Sequence, residues 1–151
     1  MSDVNFVTVR AATEGDAEAV FGLLGAFVTS YRPDRAAFDR HFPLLGDGLL
    51  VAESQDGRVV GYALVCDLLV LYANGYVCEL QELMVDPACR GRGIGERLVA
   101  AVLERARTKG AVEVTVPTRR ARDYYLRLGF EETATYLKRP VRDQEKKRPS
   151  G

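Results

Sequence analysis

The residues best suited to chemistry lie between Glu79 and Val99, in the stretch ELQELMVDPACRGRGIGERLV. Gly91, Gly93 and Gly95 remove side chains where a strand hands over to a helix. Free backbone N–H groups and the positive end of the helix dipole can receive an anion there. Arg90 and Arg92 add forked donors suited to phosphate. The stretch reads as a pyrophosphate cradle. A P-loop needs G-x-x-x-x-G-K-[ST], and neither a lysine nor a hydroxyl follows Gly95. A dinucleotide-binding turn needs G-x-G-x-x-G almost directly after its strand. Here Glu96 stands where the third glycine should be, and Asp86-Pro87 pushes the loop away from the strand. Glu113, about 20 residues on, imitates the ribose-binding acid of that motif, which keeps it as the weaker alternative.

A third pattern fits better. Arg90-Gly91-Arg92-Gly93-Ile94-Gly95 is R-x-x-G-x-G, and with Leu83-Met84-Val85-Asp86-Pro87 before it the stretch resembles the acetyl-coenzyme A signature of the GNAT N-acetyltransferase superfamily. Ala121-x-x-Tyr124-Tyr125-x-x-x-Gly129-Phe130 resembles a second signature of that superfamily, A-x-x-[FLY]-Y-x-x-x-G-F. The two occur in the right order, about 30 residues apart. The likeness covers roughly residues 4 to 138.

The resemblance implies acetyl-CoA (coenzyme A) as cofactor and transfer of its acetyl group to a primary amine in a ternary complex. It implies that the coenzyme's pantetheine arm pairs with the backbone of Leu83, Met84 and Val85, much as an added strand would. The diphosphate would rest on the N–H groups from Arg90 through Gly91, Arg92, Gly93, Ile94 and Gly95 to Glu96. Glu96 suits the helix dipole but would repel phosphate, so its side chain should point away. Many relatives carry asparagine three residues before the motif alanine. Thr118 stands there instead, so an amide contact to the coenzyme arm would be lost.

Acetyl transfer from a thioester to an amine has three needs: the amine must lose its proton, the developing oxyanion needs a donor, and the sulfur leaves better when protonated. Tyr125 matches the family tyrosine that donates to the sulfur; a phenol with its ordinary pKa of about 10 is protonated at neutral pH. Tyr124 reads as core packing. Glu79 lies eleven positions before Arg90, the spacing of the general-base glutamate in some relatives, and Glu82 is the second candidate. In an unbroken strand Glu79, Gln81, Leu83 and Val85 share one face, and Leu80, Glu82 and Met84 the other. A bulge, common in this strand of the family, would break that count.

Several elements must hold these groups in place. Phe6 to Arg10 alternates as a first strand. Thr13 offers an N-cap before Glu14, Asp16 and Glu18, and Val20, Leu24, Phe27 and Val28 share one helical face. Pro33 suits the first position of a second helix carrying Ala37, Phe38 and Phe42. His41, on the same segment, is a packing or surface residue before it is a catalyst. Asp56-Gly57 joins two strands as a hairpin, and Asn74-Gly75 turns the chain into the central strand, Tyr76 to Val85. Ile94, Leu98, Val102 and Ala106 give the following helix one buried face, which Lys109-Gly110 stops. Ala111 to Val116 follows a crossover helix and should lie parallel to the central strand. Thr118 should cap a last helix closed by Gly129, and Thr133 to Leu137 should supply a last strand. This predicts an α/β fold of the α+β kind: a mixed, mostly antiparallel sheet with splayed parallel central strands, flanked by helices. It forms one domain over residues 1–138, with a charged, mobile tail over 139–151.

Composition narrows the function. Lys+Arg and Asp+Glu are both 21, so no global positive field draws the chain to nucleic acid. No apolar run reaches the length of a membrane span, and the first residues lack the pattern of a secretory signal. Three cysteines without zinc spacing read as reduced thiols of a cytoplasmic protein, with Cys66 and Cys78 in strands. No metal is expected. The acceptor pocket should be built from the first two helices, the three-strand meander and the Tyr72–Tyr76 loop. Asp39, Asp67, Glu79 and Glu82 would favour a cationic small molecule such as a polyamine, an amino acid or an aminoglycoside-like amine. Two other readings stay open: acetylation of protein or peptide amino groups in an open groove, and a non-catalytic coenzyme A-binding module of the same fold. A homodimer follows only by family analogy.

Overall fold

The computed structural model describes residues 7–27 and 31–143. Five strands form one sheet in the order of the chain: β1 (Thr8–Ala11), β2 (Leu49–Glu53), β3 (Val59–Val70), β4 (Gly75–Val85) and β5 (Val114–Thr115). The first four are mutually antiparallel, and β5 lies parallel to β4. Helices α1 (Ala17–Gly25) and α2 (Arg35–His41) precede β2; α3 (Ile94–Thr108) and α4 (Arg122–Arg127) flank β5. Phe6 and Val28 lie outside the described residues, as do residues 144–151 of the tail.

The sheet separates two cores. On one face Ile94, Leu98, Val102 and Ala106 of α3, all at most 4% exposed, pack with Ala63, Val65, Cys78 and Leu80 of the sheet and Tyr125 of α4. On the other, Val20 and Leu23 of α1 pack with Val51, Tyr62 and Met84, joined by Phe38 of α2. The period-four stripe of α3 is thus the buried face the sequence predicts, and Gly110, at φ 78°, ends the helix. Asp56-Gly57 makes the hairpin between β2 and β3, with Gly57 at φ 84°. Cys66 and Cys78 lie in strands, and all three cysteines are free thiols. Among the described residues no helix is long and apolar enough to cross a membrane, and no cluster of acidic, histidine or cysteine side chains could hold a metal ion.

Three expectations need correction. Asp34, not Pro33, starts α2: it stands at the N-cap and its carboxylate accepts from the Ala37 N–H at 2.9 Å. The last helix begins only at Arg122, although the Thr118 hydroxyl does accept from the Ala121 N–H at 3.0 Å, one turn early. Residues Thr133 to Leu137 form no strand and are exposed. Alternation and β-propensity suit them to a sheet, but a strand also needs a ladder, and β5 is only two residues long.

Polar contacts pin the first helix. Arg10 on β1 makes a two-pronged pair with Asp16, at 2.8 and 3.0 Å, and reaches Glu53 on β2 at 3.2 Å. Asp16 also accepts from the Thr13 N–H at 2.7 Å. The Arg10 guanidinium holds the buried Asp16 carboxyl below the usual carboxylate range. A depressed folded-state pKa contributes stability above the unfolded value of about 4, and that stability is lost as pH falls through the folded value. Asp16→Asn should therefore lower stability at pH 7 by about 2 kcal/mol. It should also flatten the acid side of the melting temperature against pH below about 4, which calorimetry across that range checks.

Candidate active site

β4 carries five of the candidate residues, Glu79, Glu82, Leu83, Met84 and Val85, and two features shape it. The first is a bulge. Leu64 pairs with Glu82 but the next residue, Val65, pairs with Leu80, so Gln81 has no partner across the ladder. Counting resumes one step out of phase. Glu79 (opposite Cys66), Glu82 (opposite Leu64) and Met84 (opposite Tyr62) share the face of α1 and α2, while Cys78, Leu80, Leu83 and Val85 face α3. The unbroken alternation that separates Glu79 from Glu82 is thereby overturned: both carboxylates are on one side.

The second feature is a fork. β5 pairs with β4 only at Cys78–Val114 and Glu79–Thr115, extended by Val112 N–H to Tyr76 O at 3.0 Å. β4 then runs six residues further to Val85 without β5 beside it. Pro117 contributes to the parting, since it has no N–H for a ladder, and the bulge adds local twist. Leu83, Met84 and Val85 lie past the fork, on the stretch of β4 that β5 does not cover. Exposed strand edge of this kind accepts an extended ligand by backbone pairing.

The cradle begins where β4 ends. Asp86 caps the next turn, Pro87–Cys89, by accepting from the Ala88 N–H at 2.9 Å, and its own N–H bonds Val60 O at 2.8 Å. Gly91 and Gly93 adopt φ 79° and 83°, where other residues are strained, and a Cβ on either would meet nothing within 4 Å. Gly93 is the N-cap of α3 and has no side chain to cap with; the first intrahelical bond runs from Arg97 N–H to Gly93 O at 3.1 Å. The N–H groups of Ile94, Gly95 and Glu96 precede any intrahelical acceptor, and the space before them is open. This suits a diphosphate. Glu96 is exposed. Arg90 turns back along β4, its Nε 3.3 Å from Val85 O and Nη2 3.9 Å from Met84 Sδ. Arg122, at the start of α4, is engaged: it pairs with Glu132 at 2.5 Å and Asp123 at 3.0 Å.

Gly95 has a different task. A Cβ there would lie 2.6 Å from the Tyr124 hydroxyl, so the glycine admits that ring against the start of α3. Tyr124 packs against the α3-side core, in keeping with a packing role, and stacks edge-on with Tyr125 at 5.2 Å. Tyr125 is 7% exposed and meets Phe130 on its other side at 5.5 Å. Burial pushes its phenol up to about 12, which keeps it a proton donor at neutral pH. Among the described residues no hydrogen bond reaches its hydroxyl, and no buried side-chain polar atom lacks a partner, so that oxygen lies at the surface while the ring is buried.

The two glutamates differ in their surroundings. Glu79 accepts from Gln81 Nε2 at 2.6 Å, the Tyr136 hydroxyl at 3.0 Å and the Thr115 hydroxyl at 3.3 Å. Glu82 accepts from the Tyr62 hydroxyl at 2.7 Å. Sequence reasoning missed Tyr62, Thr115 and Tyr136. Each reaches its glutamate from at least 20 residues away; the cross-strand register could have signalled Tyr62 and Thr115, but Tyr136 lies outside the sheet. The other acids expected at an acceptor pocket are engaged elsewhere: Asp67 with Arg105 at 2.8 Å and Asp39 with Arg35 at 2.9 Å. His41 ends α2 as an exposed residue. A shallow cavity of about 350 Å³, lined by Val9, Leu50, Ala101, Arg105 and Lys109, lies against the C-terminal half of α3. The helix is 15 residues long, so its far end is roughly 20 Å from the cradle.

Known proteins share this fold. The sequence model of the acetyltransferase (GNAT) family matches residues 18–130. An aminoalkylphosphonate N-acetyltransferase of Salmonella typhimurium is 29% identical over 134 residues, 83% of this chain and 85% of that protein. An uncharacterized N-acetyltransferase of Methanocaldococcus jannaschii is 41% identical over 91 residues, 57% of this chain, which spans only 40% of its length. The aminoglycoside N-acetyltransferase AAC(6')-Iy, solved in complex with CoA, superposes with a TM-score of 0.75 at 25% identity, covering 91% of this chain and 95% of that one. Since the family match takes in the bulged strand, the cradle and both tyrosines together, this chain belongs to the acetyltransferase (GNAT) family.

Proposed function

We propose that the protein transfers an acetyl group from acetyl-CoA to the primary amine of a small cationic molecule, directly and within a ternary complex. The observation that carries this reading is the fork: bare β4 edge at Leu83–Val85 leads straight to the open first-turn N–H groups behind Gly93. When bound, acetyl-CoA supplies the activated acetyl thioester. Leu83, Met84 and Val85 bind its arm through their backbone, and residues Arg90 to Glu96 hold its diphosphate. Tyr125, protonated and without a protein partner among the described residues, gives its proton to the departing sulfur. A carboxylate on the α1 and α2 face of β4, Glu79 or Glu82, takes the proton of the attacking nitrogen. With Asp39 and Asp67 paired to arginines, these two also supply the negative charge that draws a cationic acceptor. The acceptors printed in the names of two relatives, an aminoalkylphosphonate and an aminoglycoside, are small amines and support a small-molecule amine as acceptor here; of the two, only the aminoglycoside is a net cation.

The test is calorimetric titration with coenzyme A, followed by thiol release from acetyl-CoA against a panel of polyamines, amino sugars, aminoglycosides, aminoalkylphosphonates and lysine peptides. Saturable coenzyme binding and thiol release with at least one small amine are expected. Release only with peptides would reassign the acceptor. Binding without release from any amine would leave a coenzyme-binding module instead of an enzyme.

A further inference from the structure

Two carboxylates share one face of β4, and their hydrogen bonds separate them. Resting on the acetyl-transfer reading above, we propose that Tyr62 is a positioning residue, its hydroxyl holding Glu82 so that Glu82, not Glu79, takes the proton of the acceptor amine.

Glu79 is a filled acceptor. Its Oε1 receives Gln81 and Tyr136, and its Oε2 receives Thr115, so three of a carboxylate's roughly four lone-pair sites are occupied. These donors come from β4 itself, from β5 and from the segment after α4. To take a proton Glu79 would have to give up one of them. That makes it an anchor between the two strands at the fork.

Glu82 is held at one oxygen only. Tyr62 donates to Oε1 at 2.7 Å, and no donor reaches Oε2 among the described residues. Tyr62 is 2% exposed and is fixed by its register opposite Met84 in β3, so its hydroxyl is aimed before any ligand arrives. The elements packed on this face bring apolar groups: Val20 and Leu23 from α1, Phe38 from α2, Leu64 from β3. The charged and titratable groups here are Tyr62, Glu82, Glu79 three positions along β4, and the Arg90 guanidinium, whose Nη2 lies 3.9 Å from Met84 Sδ. Burial, and then the charge of Glu82, raise the Tyr62 phenol far above its ordinary value, so it stays a donor at any working pH.

The chemistry balances. An acceptor ammonium gives two protons in becoming an amide. One goes to solvent before attack. As the nitrogen lone pair forms the new C–N bond and the C–S bond breaks, Glu82 Oε2 takes the second. Tyr125 protonates the sulfur, which keeps the C–S electron pair, and Tyr125 is reprotonated from water while Glu82 releases its proton there.

The experiment compares Tyr62→Phe, Glu82→Gln, Glu79→Gln and the Tyr62→Phe/Glu82→Gln double variant, using the fastest amine of the panel. Tyr62→Phe keeps the ring and should lower kcat about 10-fold, with the KM for amine and the coenzyme Kd changing less than about 2-fold. Glu82→Gln should lower kcat by about 100-fold, at least 10 times more than Glu79→Gln. Adding Tyr62→Phe to Glu82→Gln should cost nothing further, because the two act as one unit. Independently of turnover, the ring ¹³Cζ resonance of Tyr62 in the free protein should move on Glu82→Gln. An unchanged kcat in Tyr62→Phe, a larger loss in Glu79→Gln, additive losses in the double variant, or an unmoved Tyr62 resonance would each overturn the assignment. A wild-type protein that binds coenzyme but acetylates no amine would remove the acetyl-transfer reading and this role with it. A wild type that turns over with the wrong order of variants would remove this role alone.

Discussion

Tyr125→Phe should lower kcat about 100-fold while leaving the coenzyme Kd within about 2-fold, as measured by thiol release and by calorimetric titration. The change removes one oxygen and nothing else. The ring is clasped between Tyr124 at 5.2 Å and Phe130 at 5.5 Å, contacts that phenylalanine keeps, so fold and coenzyme binding should survive. What is lost is a proton donor at the edge of a buried ring. A thiolate leaving without that proton must carry its full charge, and the barrier rises accordingly. Because burial pushes the Tyr125 phenol up to about 12, the activity that depends on its protonated form should persist to alkaline pH and fall only toward that value. A kcat that is unchanged in Tyr125→Phe would take the tyrosine out of the chemistry.

Gly93→Val should weaken coenzyme binding at least 30-fold, for two separable reasons. At φ 83° a β-branched residue is strained by about 1–3 kcal/mol, and relief of that strain would pull the first turn of α3 out of shape. The side chain would also stand in the open space before the N–H groups of Ile94 to Glu96, where the diphosphate is proposed to sit. Gly110→Val provides the control. It sits at φ 78° beyond the opposite end of α3, also with nothing within 4 Å, and carries similar strain far from the cradle. The two variants should lose similar amounts of thermal stability, but only Gly93→Val should lose coenzyme affinity. Equal affinities in both would place the diphosphate elsewhere.

Much of this site was legible in the sequence because its signals are local. R-x-x-G-x-G followed by apolar residues every fourth position specifies a loop, a helix start and a buried face without reference to the rest of the chain, and Ile94, Leu98, Val102 and Ala106 are buried as that spacing requires. The same holds for Gly57 and Gly110, whose turns depend on backbone conformation alone. What escaped was whatever depends on a distant partner. A bulge in this strand is expected from the family resemblance, but its place at Gln81 is set by how β3 lies against β4, and nothing in the order Glu79-Leu80-Gln81-Glu82 announces it. The Tyr62–Glu82 bond spans 20 positions for the same reason. Thr133 to Leu137 shows the converse, a segment with strand-like composition that lacks a neighbour to pair with. Local pattern names an element; only the assembled sheet decides which side chains meet.

The bulge also divides the site into parts that can change separately. Everything from Glu82 onward keeps its facing whether or not Gln81 is there, so the strand end, the glycine loop and the start of α3 are indifferent to it. Drawing Gln81 into the ladder would slip every earlier residue of β4 by one and turn Glu79 to the α3 face, while deleting it would leave Glu79 opposite Cys66 as before. Whether this one residue is looped out or paired thus decides which side chains face the proposed acceptor side, and leaves the strand end and glycine loop as they are.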